Sequence, residues 1–348
     1  MPAGQDPRLS EREAKALADL YSAAVATLLR GIARRLARGI TTPGWEQRKL
    51  LQLVDLRREA IRTLDQLDRR AGPVIRSAVD TGVARGATVG ARDVPGIPAR
   101  PGPRANYAAE ALARDTVGRV GRMRGGILRQ VDDVYRQVIS EAAGLPVTGV
   151  RTRQGAAQQA LDRFAMSGIT GFRDKAGRNW SMEAYSEMAL RTAVGRAQVE
   201  GAIDRLQAGG RDLVIVSISP DSCPVCAPHE DTVKSITGDT PGYPTLAEAQ
   251  ADGLLHVACT HRLHAWTPGL TQQVDDTGYD PQDYEDRQEQ RRLERGLRTW
   301  KQREAVAMTP EAAAFARGKA REWSGRLRAH TEATGRVRVR ARESLGAR

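Results

Sequence analysis

The sequence has few of the residues that form thiolate and imidazole sites, and these few lie in its C-terminal part. It contains three cysteines and five histidines, and none of them precedes Cys223. This order excludes a zinc nucleobase deaminase of the usual arrangement, in which a His-x-Glu or Cys-x-Glu motif lies upstream of Pro-Cys-x-x-Cys. The zinc-protease motif His-Glu-x-x-His is absent as well, because His229-Glu230 is followed by Asp231-Thr-Val.

Aromatic residues and long apolar stretches are also scarce. The 348 residues include 5 Trp, 7 Tyr and 3 Phe, so the cores must be filled mainly by Ala, Leu, Val and Ile, which suits close helix packing. Apolar runs such as Leu213 to Ile218 are too short to cross a bilayer. The N-terminus has no charged flank followed by an apolar stretch. We therefore expect neither a signal peptide nor a membrane partner.

The three cysteines lie in one short region of the chain. Cys223-Pro-Val-Cys226 is followed downstream by His256-Val-Ala-Cys259. Two thiols separated by two residues can face one cation, and His-x-x-Cys adds two donors of the types that tetrahedral zinc prefers. The spacing therefore predicts a closed structural zinc site formed by Cys223, Cys226, His256 and Cys259, with His261 as an alternative ligand. His264 also lies close behind, and spacing alone does not decide which imidazole binds.

Other interpretations of the cysteines stay open at this point. A disulfide between Cys223 and Cys226 would leave Cys259 without a partner and would require an oxidising compartment. A reduced or redox-active pair without metal fits the same spacing. The thiols would also be tolerated as small buried side chains.

Positive charge is concentrated near the C-terminus. The net charge of the chain is +12, and the segment from Arg287 to Arg348 contains 17 Lys or Arg and 7 Glu, a net charge of +10. Such a segment can bind nucleic acid, because each neutralised phosphate releases condensed counterions. The alternative is a solvated helix whose arginines keep it soluble. We expect no sequence-specific readout, because no helix-turn-helix or finger pattern is present.

The pattern along the chain predicts a mainly α protein with a small α+β module. Long N-terminal helices precede a central metal-stapled α+β domain, and charged helices follow it. The predicted regions are an N-terminal helical region (1–92), a Pro-rich linker (93–106), a second helical region (107–166), the central CxxC/HxxC module (167–268), an acidic linker (269–286) and a basic helical C-terminal region (287–348).

Local signals predict where individual elements begin and end. Ser10, Thr42, Ser181, Thr245 and Thr309 have the sequence context of helix N-caps. Gly72-Pro73 predicts the end of a helix, and a single helix is expected from residue 107 to about residue 143. Residues 213–219 read as a strand, residues 256–266 as an extended segment, and residues 174–177 as the turn of a hairpin. The two C-terminal helices are expected to pair as an antiparallel hairpin or to pack against another subunit.

Four stretches of the chain resemble a known group of phage proteins. The chain looks like the tailed-phage minor capsid proteins of the group called minor capsid protein 2, which is related to the Mu F-like head morphogenesis proteins. That group usually carries His-Pro-Asn-Cys-Arg-His, whereas this chain has Val257, Ala258 and Thr260 and keeps the two histidines and the cysteine. The stretches that carry the likeness are Gly168–Met188, Asp221–Glu230, Tyr243–Gln250 with His256–His261, and Arg287–Ala307.

The resemblance implies a structural protein of the virion and no enzyme. Such a protein would be made in the host cytoplasm and would lie in few copies inside the capsid, near the portal. Its expected partners are the portal and the major capsid or scaffold proteins, together with double-stranded DNA through the basic C-terminal region. After Pro268 we find only charged helices and one histidine, His330, so an appended enzyme domain is not expected.

Two other function classes remain as hypotheses. One is a metal-dependent or thiol-dependent enzyme built on the central module, with His229, Glu230 and Asp231 as acid or base groups near the thiols. These three residues also fit an ordinary polar turn. The other is a free DNA-binding regulator, which rests only on the basic C-terminal segment.

Overall fold

Helices make up most of the chain, and a small antiparallel sheet is inserted among them. The computed structural model describes residues 9–38, 40, 42–144, 153–167, 172–173, 177, 179–219, 222–274 and 278–345. The helices within these residues are α1 (Leu9–Ala37), α2 (Trp45–Leu51), α3 (Leu53–Arg92), α4 (Pro103–Gly121), α5 (Met123–Gly144), α6 (Arg153–Ser167), α7 (Met182–Ala208), α8 (Leu246–Ala251), α9 (Pro281–Ala305) and α10 (Pro310–Thr334). The prediction of a mainly α protein with a small α+β module is confirmed.

Within the described residues, five short strands form two antiparallel sheets. They are β1 (Phe172–Arg173), β2 (Asn179–Trp180), β3 (Leu213–Val216), β4 (Val233–Ser235) and β5 (Leu263–Ala265). β1 pairs with β2, as the predicted hairpin requires, although most of its predicted turn lies outside the described residues. In the second sheet β3 is central, with Val214 opposite Lys234 of β4 and Ala265 of β5. This three-stranded sheet carries the loops of the cysteine region.

Helix α3 runs through the position where the sequence predicts its end. Pro73 lies inside the helix, on its exposed side. A proline in a helix interior removes one hydrogen bond and costs about 3 kcal/mol. Buried residues nevertheless recur at helical spacing on both sides, with Leu67 and Ala71 before the proline and Ile75 and Ala78 after it. Burial of this apolar stripe offsets the local cost, so the predicted helix end at Gly72-Pro73 is wrong.

Other local predictions had mixed outcomes. The single helix expected over 107–143 is interrupted at Arg122, beside Gly121. The caps predicted at Ser10 and Thr42 are wrong, because α1 already includes Ser10 and α2 is preceded by Gly44 with a left-handed backbone. The other three caps are confirmed. Ser181 Oγ accepts from Ala184 N (3.2 Å), Thr245 and Glu248 form a complete capping box, and Thr309 Oγ1 accepts from Ala312 N (3.2 Å).

The described residues group into two compact units, each assembled from three separate stretches. The first contains the chain up to Leu17, then Gly72–Arg119 and Glu187–Arg287. The second contains Ala18–Ala71, Val120–Ser186 and the residues from Gln288 onwards. The three-stranded sheet and all the cysteines belong to the first unit.

The core of the first unit joins the sheet to helices α7 and α8. Cys226 is fully buried within it, so one thiol of the cysteine region is itself a core residue. The buried members of this core are Val94, Val199, Ile203, Leu206, Val214, Val216, Cys226, Leu246, Ala249, Leu254 and Leu263. Packing of these side chains anchors one end of the Cys223–Cys226 turn.

Helices α3 and α7 touch through glycine, a feature that the sequence patterns did not reveal. Gly82, Gly86 and Gly90 recur every four residues along one face of α3. A Cβ atom added at Gly86 would overlap the carbonyl oxygen of Gln198, and one added at Gly90 would overlap that of Ala202. The two backbones therefore approach more closely than any residue with a side chain would allow.

In the second unit, α9 and α10 form the antiparallel hairpin that the sequence predicts as one of two arrangements. The ring of Trp300 lies 5.9 Å from that of Phe315, and Gly296 lies against Trp323. Contacts of earlier α9 residues with later α10 residues are what antiparallel pairing requires. The cluster between the helices contains Leu293, Leu297, Ala320 and Leu327, with Trp300 and Trp323 packed against it.

Helix α1 contains a longer apolar stretch than the short runs seen in the sequence suggest. By length and composition it could cross a membrane, and it is the one described helix of which this is true. Of its most apolar 18-residue window, 61% is buried within the protein. Buried residues such as Leu17, Tyr21, Leu28 and Ile32 show that this apolar surface serves a core.

Candidate metal centre

Two tight turns bring the cysteines and histidines to the same place. In the first, the amides of Cys226 and Ala227 both donate to the carbonyl oxygen of Cys223 (3.1 and 3.0 Å). In the second, the amide of Cys259 donates to the carbonyl oxygen of His256 (3.1 Å). Each turn therefore brings its first and fourth residues, which carry the donors, close together.

Five donor atoms gather in two overlapping groups. Cys223, Cys226 and His256 form one group, and Cys226, Cys259 and His261 form the other; within each group the donor atoms lie within 4.8 Å of one another. The shortest separations are 3.1 Å between Cys223 Sγ and His256 Nε2, 3.3 Å between Cys259 Sγ and His261 Nδ1, and 3.6 Å between Cys226 Sγ and Cys259 Sγ. All three cysteines are free thiols. These groups could hold a metal ion.

Both imidazoles are held so that one ring nitrogen faces the sulfurs. His261 Nε2 lies 2.6 Å from Glu230 Oε1, and both side chains are buried. His256 Nδ1 lies 2.8 Å from the carbonyl oxygen of Val257. A metal-bound histidine usually donates its second ring N–H to a carboxylate or a backbone carbonyl, which sets its tautomer and orientation. Both histidines therefore have the outer contact expected of a ligand.

The thiols differ strongly in acidity. The hydrogen bond from Cys226 lowers the pKa of Cys259 to about 4, against the effect of burial, and His261 acts in the same direction. Burial works to raise the pKa of Cys223, but its hydrogen bond with His256 outweighs this and the pKa is lowered. The pKa of Cys226 is raised, first by its bond to Cys259 and then by burial. Two of the three thiols thus lose their proton more readily than an ordinary cysteine, and the thiolate is the form that binds metals.

A buried arginine lies beside the cluster. Arg262 Nη1 donates to the carbonyl oxygen of His261 (2.7 Å), while its Nε and Nη2 have no hydrogen-bond partner among the described residues. Burial lowers the pKa of Arg262 to about 10, and Cys259 acts to raise it. A buried cation without a carboxylate partner is costly unless other negative charge is close. Cys259 is the group near Arg262 that acts to raise its pKa, so this thiol favours the charged guanidinium.

Backbone strain is concentrated around the same donors. Asp231, Leu255 and Ala258 are the described residues other than glycine with positive φ, at 53°, 57° and 60°. Leu255 immediately precedes His256, and Ala258 immediately precedes Cys259. Residues with side chains adopt this region only at a cost, which the surrounding structure must offset. The amide of Ala258 is held by Thr192 Oγ1 of α7 (3.2 Å).

A cavity of about 630 Å³ opens beside the cluster. Its walls come from α4, from α7 and from the loop that follows α8, and they include His256, Cys259 and His261. Arg191 and Arg196 of α7 also line it. One side of the donor cluster therefore reaches a space large enough for a small molecule.

The structure brings together all five residues that the sequence singled out as ligands and separates the others from them. His264 lies on β5, with its Nδ1 3.3 Å from Asp93 Oδ2, and takes no part in either donor group. Sequence reasoning did not find the positioning roles of Arg262 and Thr192, because neither residue belongs to a spacing motif.

The roles suggested for the polar turn also change. The sequence offers Glu230 as an acid or base. In the structure its carboxylate contacts His261 and accepts hydrogen bonds from the backbone amides of Ser219 and Gly278 (both 2.8 Å). Asp231 accepts from the amide of Val274 (2.6 Å). Each carboxylate is thus engaged in holding the loops of the centre.

Comparison with known proteins gives two matches. A family model described as phage minor capsid protein 2 matches residues 6–332. A curated relative from Lactococcus phage LL-H, named "Structural protein", is 29% identical over 187 residues, which cover 50% of this chain and 50% of the relative. The chain thus spans about half the length of this relative. No solved structure matches the chain.

Proposed function

The chain belongs to the phage minor capsid protein 2 family, and we propose that it acts in assembly of the phage head, inside the procapsid and near the portal. The observation that carries this proposal is the family match, which extends over residues 6–332. A structural role in the head follows from the family, while the position near the portal is part of the proposal. Its partners would be the portal and the major capsid or scaffold proteins, and its basic C-terminal region would contact packaged DNA. Kinship with the Mu F-like head morphogenesis proteins belongs to the same proposal.

The assembly role is tested in the phage or prophage that encodes the chain. An amber codon early in the gene should lower the yield of DNA-filled heads, and a plasmid copy should restore it. In wild-type heads, chemical cross-linking followed by mass spectrometry should join this chain to the portal protein. Heads that form at normal yield without the protein, or a protein that never sediments with heads, would refute the proposed role.

We further propose that Cys223, Cys226, His256 and Cys259 bind one structural zinc ion, with His261 as the alternative ligand. Three thiols and an imidazole match the donor preference of a closed tetrahedral site. Bound there, zinc would cross-link the Cys223–Cys226 turn to the loop that carries Cys259. The support is the convergence of the donor atoms within 4.8 Å and the outer contacts of both imidazoles.

Metal content measured on purified protein tests the ligand set and separates the two histidines. The wild type should contain one zinc ion per chain, and Cys226→Ser and Cys259→Ser should lose both the metal and thermal stability. If His256 is the ligand, His256→Ala should lose metal and His261→Ala should keep it; the reverse result would assign His261. His264→Ala is the matched control, because His264 lies outside both donor groups. A wild type without metal after reducing, chelator-free purification would contradict the site.

A metal-dependent or thiol-dependent enzyme is the second candidate, and the cavity beside the donors is the observation that favours it. Against it stands the engagement of both carboxylates proposed as acid or base groups, since Asp231 accepts from the amide of Val274. Glu230 is buried and engaged by His261 and two backbone amides. We therefore propose a closed structural site rather than a catalytic one.

A further inference from the structure

Several basic side chains of the C-terminal region already pair with acidic side chains of the second unit. Each of its glutamates at 289, 304, 322 and 343 is paired with at least one basic side chain. The pairs are Arg292–Glu289 (2.6 Å), Arg317–Glu304 (2.8 Å), Lys319–Glu322 (2.8 Å), Arg326–Glu322 (2.9 Å) and Arg338–Glu343 (2.6 Å). Arg298 and Arg303 pair with Glu183 and Asp162. Glu183 and Asp162 lie outside this region, so these two pairs lower the charge available to a partner below the net charge of the region.

Two exposed arginines of α10 stand apart from these pairs. Arg321 and Arg328 are exposed and make no ion pair or side-chain hydrogen bond with the described residues. They are seven residues apart, which puts them on the same face of the helix about 10 Å from each other. No acidic side chain among the described residues holds either guanidinium group in place. Both groups remain free for an external partner.

The same face of α10 carries two glycines beside these arginines. Gly325 lies between the two arginines and Gly318 lies three residues before Arg321, and a Cβ atom added at either glycine would meet no neighbouring atom within 4 Å. At these two glycine positions, a ligand can therefore approach the helix backbone closely beside the flexible arginine side chains. Glu332 lies one turn beyond Arg328 and marks the acidic end of the face.

We propose that this α10 arginine face, formed by Gly318, Arg321, Gly325 and Arg328, binds the phosphate backbone of double-stranded DNA without reading its sequence. Phosphates carry one negative charge per roughly 3.4 Å of axis on each strand, so two guanidinium groups about 10 Å apart can each reach a phosphate. The two glycines on the same face allow the backbone of the DNA to come close. The inference rests on the proposed function, because packaged DNA is the polyanion that a head protein meets.

The test compares two double variants of the full-length protein that remove the same charge. Arg321→Gln with Arg328→Gln neutralises the proposed face. Arg292→Gln with Arg326→Gln neutralises two arginines that already pair with Glu289 and Glu322. Fluorescence anisotropy with a labelled duplex of mixed sequence is measured over a series of salt concentrations, after circular dichroism has shown that both variants fold.

The face variant should bind tens of fold more weakly near 0.1 M salt, and its plot of log affinity against log salt should be shallower by about 1.8, which is 0.9 for each lost phosphate contact. The control variant should keep the wild-type slope. Equal losses in both variants would mean that net charge, not this face, binds DNA and would overturn the proposal. So would a wild type that does not bind the duplex, or one that binds polyglutamate as tightly as DNA.

These outcomes are separate from those of the assembly experiment. A face variant that still enters heads at normal yield but loses DNA affinity supports both proposals. A protein that assembles into heads and binds no DNA refutes the arginine face alone. A protein that binds DNA through this face but never enters heads refutes the proposed function alone.

Discussion

Glu230 shows how one buried carboxylate can organise a site without acting as a base. One of its oxygens accepts from the amide of Ser219 and contacts His261, and the other accepts from the amide of Gly278. A carboxylate held in this way fixes the ring of His261 with Nδ1 towards Cys259. Removing it would leave a buried imidazole nitrogen without a partner, which is costly. Its place in the molecule is that of a positioning residue.

Ala258 is the residue at which this chain departs from the pattern of its group and at which the backbone is strained. It has a φ of 60°, and the group usually carries asparagine there. The left-handed conformation costs an ordinary residue roughly 1–2 kcal/mol, whereas asparagine adopts it more readily. We expect Ala258→Asn to raise the free energy of unfolding by about 0.5–1 kcal/mol. Denaturant unfolding of the purified protein measures this change.

The control for this substitution is Ala329→Asn, at an exposed position within α10. Asparagine has a lower helix propensity than alanine, so this variant should be slightly less stable than the wild type. A loss of stability in Ala258→Asn as large as in the control would show that the left-handed backbone at residue 258 does not limit stability.

At the scale of elements, the contact between α3 and α7 depends on the absence of side chains. Gly86→Ala would force its Cβ into the carbonyl oxygen of Gln198, a backbone atom that cannot swing away. Overpacking of this kind typically costs 1–3 kcal/mol, and we expect a loss of at least about 2 kcal/mol. Urea unfolding monitored by circular dichroism measures the change.

Gly325→Ala provides the comparison, since a Cβ there meets no atom within 4 Å. This substitution should raise the free energy of unfolding by about 0.5–1 kcal/mol through helix propensity. If Gly86→Ala left the free energy of unfolding unchanged or raised it, the two helices would have to lie farther apart than they do in the structure.

Caps and breaks illustrate which element boundaries local sequence can predict. Thr245 and Thr309 are caps in the structure because a hydroxyl satisfies a helix amide from within the same few residues. Pro73 is different, because its effect depends on whether the apolar stripe on either side finds a core. A strong local signal was overridden there by burial that involves distant parts of the chain.

At the scale of the whole molecule, neither the net charge nor the order of segments along the chain shows which residues come into contact. The net charge of +12 includes many arginines that are held in ion pairs, some of them with acids far away in sequence, such as Arg303 with Asp162. Each compact unit is likewise assembled from three separate stretches. Contacts of this kind arise when helices pack, and composition along the chain does not record them.

The sequence by itself determined the mainly α class, the family resemblance and the five candidate donors, because helical periodicity and short motifs such as Cys-x-x-Cys act over a few residues. The tertiary structure alone decided that His264 stays apart from the donors and that Glu230 lies behind His261. It also decided that α3 and α7 meet through glycines and that Arg321 and Arg328 have no acidic partner among the residues that the structure describes. These features depend on which distant residues come into contact, and that is set by burial of a shared core rather than by local spacing.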